Sequence, residues 1–298
     1  MIYKNEILSK YNWFNLGGPA KILFKPNSIH DLENFLKKNN KENKIYVLGA
    51  GSNILFRDSG FDGAIIKLGN GFNYTKLLDD GKIEVGAATL DKKIAEFAIE
   101  NSISGLEFLS CIPGSIGGGI LMNSGCYGHD ISKVFFSLQA MNLNGELKTF
   151  SKDEIKFSYR RSDFGDNLII LNVVLQGKNG NKDDIKKNQE QLITKKKQSQ
   201  PSRIKTCGST FKNPRDKKAW ELIKSANCSH FTIGGASISQ KHNNFFINNI
   251  DGNTAIIIGP IDFPIGPSCD VALPSIDISQ IVVNIPKRPV LFGRLPPV

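Results

Sequence analysis

The sequence predicts a protein of mixed helices and strands divided into two domains, and three observations carry this reading. The opening alternates strand, helix and strand. Two dipeptides, Asp80-Gly81 and Asn144-Gly145, sit between apolar runs as hairpin turns. A polar stretch from Gly177 to Asp184, followed by a charged helix and then Pro201, marks a boundary where composition shifts. A chain of 298 residues accommodates two domains, or three subdomains, each with its own core.

Each element has a local reason. Lys21 to Lys25 reads as a strand ended by Pro26, and Ser28 caps a helix whose Ile29, Leu32, Phe35 and Leu36 share one face. Asp31 completes an S-x-x-D capping box. Ile45 to Leu48 and Gly63 to Leu68 are short apolar strands, and Asp80-Gly81 joins two more. A helix from Thr89 to Glu100 is expected to bury Leu90, Ile94, Phe97 and Ala98. Val134 to Leu143 pairs with Glu146 to Phe150 across Asn144-Gly145, and Leu168 to Leu175 is apolar enough for a central strand. Past the polar stretch come a charged helix from Ile185 to about Lys197, a short helix bearing Trp220, Leu222, Ile223 and Ala226, and a strand from Phe245 to Ile247. The chain has no internal repeats.

Composition narrows the function classes. Hydrophobic residues at 40% and charged residues at 22% are ordinary for a soluble globular protein. No signal peptide and no apolar run of spanning length is visible. Five cysteines without a C-x-x-C pair argue against a disulfide framework and a zinc site, so the cytoplasm is the expected location. The net charge of +10 is mostly scattered lysine, with a dense patch at Lys195 to Lys197. Nucleic acid is not the expected partner, because no recognition motif appears and the aromatics are not interleaved with the basic runs. An anionic small substrate suits the charge equally well, and a monomer is expected.

Two glycine loops carry the binding chemistry. In the run from Gly105 to Gly128, Gly114, Gly117, Gly118 and Gly119 follow Pro113 within seven residues. Such a run is expected to be neither an ordinary helix nor a strand, and its apolar neighbours Ile112, Ile116 and Ile120 favour a buried phosphate-binding loop over a surface turn. The earlier loop, Gly49 to Asn53, opens directly from a strand. Neither has the third glycine of a dinucleotide fingerprint. Two such loops about sixty residues apart suggest one ligand with a diphosphate and two ends, gripped between two layers rather than held in a Rossmann pocket.

Candidates for chemistry are fewer. Ser158-Tyr159-Arg160-Arg161 places two guanidinium groups beside a tyrosine, suited to a carboxylate or a developing enolate; solvated surface arginines are the alternative, favoured for Arg161. Ser209, between Gly208 and Thr210 with Lys212 and Asn213 close behind, is a proton donor if a neighbour holds it, or else a turn serine. His30, His129, His230 and His242 are isolated, and no metal-site or hydrolase pattern is present.

These pieces together resemble a known family. Trp13 to Ala20 (WFNLGGPA), Gly49 to Leu55 (GAGSNIL), the Gly105 to Gly128 run, Tyr159-Arg160, Gly208 to Pro214 (GSTFKNP), Ala219 to Ala226 (AWELIKSA) and Gly234 to Asn248 occur in the order seen in the bacterial UDP-N-acetylenolpyruvoylglucosamine reductases. The resemblance runs from Asn12 to Asn249. It implies an α+β fold: a PCMH-type FAD-binding domain over 1–180, with subdomains of about 1–68 and 69–180, a linker helix over 181–200, and a smaller α+β substrate-binding domain over 201–298. Non-covalent FAD is implied as cofactor, on Gly49, Ala50, Gly51, Ser52, Asn53, Pro113, Gly114, Ser115, Gly117, Gly118, Asn123 and Gly125. NADPH is implied as hydride donor and a UDP-sugar as substrate, in peptidoglycan precursor synthesis. Arg160 would steady the enolate, Ser209 would give the proton, and Tyr159, Lys197 and Asn213 would contact substrate.

One departure stands out. The family ends in a helix and a strand carrying a glutamate in a pattern like L-E-x-E-V-R. Here the likeness fades after about Ala255, and no glutamate follows Glu221. Eight of the thirteen prolines (Pro260, Pro264, Pro267, Pro274, Pro286, Pro289, Pro296 and Pro297) lie in this tail, so irregular structure is expected from about 256. A shifted reading frame and a divergent terminus both explain it. The expectation is FAD binding with poor reduction of substrate, unless Asp270 or Asp277 replaces the glutamate.

Overall fold

β1 (Ile2–Ile7), β2 (Pro19–Phe24), α1 (Ile29–Lys38), β3 (Lys44–Val47) and β4 (Phe61–Ile66) form the first subdomain of a computed structural model that describes residues 1–39, 44–163, 165 and 167–249. The tail expected to be irregular, with Asp270 and Asp277, lies outside the described residues. The sheet order is β1-β2-β4-β3, with β1 antiparallel to β2, and β2 and β3 parallel to β4. Three parallel strands therefore end on one edge, which then carries Lys25, the loop at Gly49 and Lys67. Ser28 Oγ accepts the N–H of Asp31, and the Asp31 carboxylate accepts the N–H of Asn27. Leu32 and Leu36 are buried and Phe35 stacks on Phe24, but Ile29, expected on the same face, is exposed in the first turn.

The second subdomain comprises β5 (Thr75–Leu77), β6 (Lys82–Gly86), α2 (Asp91–Glu100), β7 (Ile103–Ser104), α3 (Ile116–Leu121), β8 (Gly125–Cys126), β9 (His129–Asp130), β10 (Phe135–Asn142), β11 (Leu147–Ser151), β12 (Lys156–Ser158), β13 (Arg161–Asp163), β14 (Leu168–Gln176) and β15 (Lys178–Asn179). Its main sheet, β11-β10-β14-β6-β5, is antiparallel throughout, with β14 central as expected. Both hairpin signals hold: Asp80 and Gly81 take φ of 59° and 70°, and Gly145 takes 88°. One sheet face packs on α2 and α3 through Ile83, Val85, Ile94, Ile116 and Val173. Residues of the other face, Met141, Ile169 and Leu171, meet Phe24, Leu32 and Ile66, joining the two subdomains through one core.

The structure departs from the sequence expectations at three places. The glycine run does contain a helix, α3, because Gly117 and Gly119 let it lie flat on its neighbours: a Cβ would sit 3.0 Å from the Ala87 carbonyl at the first and 2.8 Å from Ile131 at the second. α2 leaves Leu90 exposed and buries Asp91 completely. The polar stretch after β14 is not a free linker. β15 pairs with β7, the Gly180 N–H donates to the Ser102 carbonyl, and Asn181 Oδ1 caps α4 (Lys182–Ser199), which lies on the second subdomain with Lys196 Nζ 2.7 Å from the Cys111 carbonyl. Polar composition marked an edge strand and a cap.

The third unit holds α5 (Ala219–Ser225) and the antiparallel sheet β16 (Thr232–Ile233), β17 (Ala236–Ile238) and β18 (Phe246–Asn248). Its core of Cys207, Phe211, Ile223, Ile238 and Phe246 continues into Phe14, Leu16 and Leu55 of the first subdomain. Asn248 Nδ2 donates to the Phe14 carbonyl at 3.1 Å, and the Cys207 thiol to the Ile54 carbonyl at 2.8 Å. The third unit is thus docked on the segments that flank the first glycine loop.

Candidate cofactor and active site

The two glycine loops meet. A Cβ built on Gly49 would come within 2.7 Å of Ser115 Oγ, and one on Gly114 within 2.9 Å of Asp91 Oδ2 and 3.8 Å of Ser52 Oγ. The first loop leaves the carboxyl end of β3, and the second enters α3. Gly51, at φ 73°, packs so closely that its Cβ would lie 2.1 Å from the Tyr11 carbonyl, while its own carbonyl accepts the Trp13 N–H. Among the described residues, the N–H groups of Gly49, Ala50, Ser52, Ser115 and Gly118 find no acceptor in the protein. Buried or half-buried amides left this way, in two loops that touch, suit an anion.

Side chains behind the loops add to the imbalance. Ser115 is 3% exposed, and its hydroxyl has no partner among the described residues; nor has either oxygen of the fully buried Asp91 carboxyl. Burial pushes Asp91 well above the usual carboxylate range. The native protein then holds a proton that the unfolded chain loses above about pH 4, so this group lowers stability as pH rises from there toward its native pKa. Asp91→Asn is expected to flatten that decline, so that its thermal midpoint gains on the parent's with rising pH. Parallel midpoint–pH curves would show that Asp91 ionises in the native state.

Tyr159 and Arg160 form the two-residue turn of the β12–β13 hairpin, since Ser158 faces Arg161 directly. Arg160 sits at φ 58°, its guanidinium donating to the Gly125 carbonyl at 2.8 Å and the Asn123 carbonyl at 3.4 Å and lying over the Tyr159 ring. Asn123 ties the hairpin down, donating to the Ser158 carbonyl and accepting the Ser132 N–H. Asn123 and Gly125, expected on the cofactor, also hold the arginine through their carbonyls. Arg161 is exposed, as expected. Nearby, a hydrogen bond from the Cys126 thiol first, then Ser110 and the Lys196 charge, bring the Cys111 thiol down to about 6 against the opposing effect of burial, while the same contact with Cys111 and burial push Cys126 up.

Ser209 lies in the third unit, bridged to Phe245 and exposed. The loop around it is fixed: Thr206 Oγ1 accepts the Gly208 N–H and donates to the Phe246 carbonyl, and Asn244 engages Thr210 and Phe211. Asn213 Oδ1 accepts the Ala219 N–H at the start of α5, a local structural bond. Lys197 is exposed, and its carbonyl accepts from Lys241 Nζ at 2.6 Å, so the last turn of α4 and the third unit gather cations. The structure therefore joins the glycine loops to each other and Arg160 to the second loop, whereas Ser209 and Asn213 come from the third unit.

Two residues escaped the sequence reading. Lys67 Nζ donates to the Gly49 carbonyl at 2.7 Å, and Asp91 lies behind Gly114. A lone charge in Ala64-Ile65-Ile66-Lys67-Leu68 was the available signal for the first. No His, Cys, Asp or Glu cluster able to hold a metal occurs among the described residues, where Cys111, Cys126, Cys207 and Cys228 are free thiols; none of the described helices is long and apolar enough to cross a membrane.

Comparison with known proteins agrees with this layout. Residues 20–151 match the FAD binding domain family, and residues 200–259 match the UDP-N-acetylenolpyruvoylglucosamine reductase C-terminal domain. The chain is 46% identical over 244 residues to the UDP-N-acetylenolpyruvoylglucosamine reductase of Pelagibacter ubique, covering 81% of each. It is 42% identical over 253 residues to that of Rickettsia bellii, covering 83% of this chain and 84% of the relative. The crystal structure of the Thermus caldophilus UDP-N-acetylenolpyruvylglucosamine reductase superimposes with a TM-score of 0.76 at 29% identity, over 85% of this chain and 91% of that one. The loops suit FAD on their own terms, through amides and a serine hydroxyl without partners among the described residues and a close-packed glycine backbone.

Proposed function

The chain belongs to the UDP-N-acetylenolpyruvoylglucosamine reductase family of flavin-dependent oxidoreductases, and on that premise we propose that it reduces UDP-N-acetylglucosamine enolpyruvate to UDP-N-acetylmuramate at the expense of NADPH. The observation that carries this is the meeting of the two glycine loops, with Arg160 anchored to the far end of the second glycine run. FAD, when bound there, would take a hydride from NADPH and deliver it to C3 of the enolpyruvyl group. Gly49, Ala50, Ser52, Ser115 and Gly118 would hold its diphosphate through their N–H groups, with Gly51, Asn53, Pro113, Gly114 and Gly117 shaping the walls. Arg160, its guanidinium fixed by two carbonyls, would face the negative charge that develops on the substrate carboxylate and enolate. Ser209 would supply the proton to C2. Tyr159 would border the sugar, and Lys197, with Asn213, would stand on the UDP side. This reading places the protein in the cytoplasm as a monomer, apart from nucleic acid and membrane.

A second reading rests on one specific observation: the second family match stops at 259, and no glutamate follows Glu221. In that reading the protein binds FAD but turns over poorly. Steady-state turnover of this chain beside a version with a family-like terminus decides between them. Equal, family-like rates in both support the reductase, and a large gain on restoring the terminus supports the impaired homologue.

A further inference from the structure

Resting on the FAD reading, we propose that Lys67 is a positioning residue of the cofactor site: it fixes the Gly49–Ala50 peptide and supplies the positive charge that the diphosphate requires. Lys67 follows β4 directly and reaches across the parallel sheet edge to the loop after β3, where its Nζ lies 2.7 Å from the Gly49 carbonyl. That carbonyl and the Ala50 N–H belong to one planar trans peptide and point in opposite directions. Holding the carbonyl toward Lys67 therefore turns the Ala50 N–H away from it, and it is one of the amides that finds no acceptor among the described residues.

Among the described residues the charge has no anion paired with it. Lys67 is half-buried, and none of the ion pairs among the described residues includes it. Among the described residues the charge that acts on it is another cation, Lys25, which follows β2 and whose own Nζ sits over the rings of Tyr3 and Tyr11. Both influences, burial and Lys25, disfavour its charged form. A desolvated ammonium held by one carbonyl is a costly arrangement unless an anion shares the site. The adjoining loop offers amides for an anion on the far face of that single peptide, across which the unbalanced ammonium acts, so the two features are complementary.

The test is FAD binding to cofactor-stripped protein, followed by flavin fluorescence, with riboflavin as the phosphate-free probe. Lys67→Met is expected to weaken FAD binding about ten- to a hundredfold, as loss of the charged hydrogen bond that fixes the Gly49–Ala50 peptide, together with the charge behind it, would do, with riboflavin binding changed by less than about threefold. Lys67→Arg is expected to recover most of the loss, and the thermal midpoint of the stripped Lys67→Met protein to match or exceed the parent's. FAD binding within twofold of the parent, or riboflavin weakened in the same proportion as FAD, would overturn the inference. If Lys67→Met does not fold, Lys67→Gln carries the same comparison. A parent that binds no FAD would sink the functional reading instead, which keeps the two failures apart.

Discussion

Ser209→Ala is expected to lower turnover by about a hundred- to ten-thousandfold, the usual contribution of a positioned general acid, while leaving NADPH oxidation by the flavin intact. The serine sits on a rigid loop, with Gly208 bonded to Thr206 Oγ1 and Thr210 to Asn244, so its loss removes a hydroxyl without unfolding the support. Proton uptake at C2 should suffer more than hydride transfer to C3. The discriminating measurement is solvent deuterium incorporation at C2 in single turnovers, set against the rate of flavin reoxidation. A Ser209→Ala protein that turns over like the parent would place the proton donor elsewhere.

Arg160 gives the second large effect. Removing one preorganised charge-stabilising donor typically costs about a hundred- to a thousandfold in rate. Arg160→Met should lose that factor in flavin reoxidation by substrate, with flavin reduction by NADPH within a few-fold of the parent. Arg160→Lys is expected to recover little: an ammonium on a shorter reach cannot make the same paired bonds to the Gly125 and Asn123 carbonyls and still present its charge forward. Equal loss in both half-reactions would mean that Arg160 acts on the cofactor or the fold.

What was legible in the sequence is what local chemistry determines. Asp80-Gly81, Asn144-Gly145, the Ser28 cap and the central strand at Leu168 all depend on near neighbours, and all hold. The failures share a different cause. Glycine content argued against a helix at 116–121, yet the glycines are what let α3 approach Ala87 and Ile131, a tertiary demand invisible to propensity. Periodicity placed Leu90 inside and said nothing of Asp91, whose burial follows from the second loop folding over the start of α2. In the site, the glycines announced themselves, and so did the Tyr-Arg pair through its resemblance. Lys67 did not, because its partner is a backbone carbonyl eighteen residues away, beyond the reach of any motif.

The most direct test of the account follows the flavin of the parent protein through both half-reactions with air excluded. NADPH should bleach the oxidised flavin absorbance. One equivalent of UDP-N-acetylglucosamine enolpyruvate should then restore it, with UDP-N-acetylmuramate formed in matching amount. A flavin that bleaches with NADPH and stays bleached after the substrate is added would contradict the proposed reductase and leave an FAD-binding homologue without its second half-reaction.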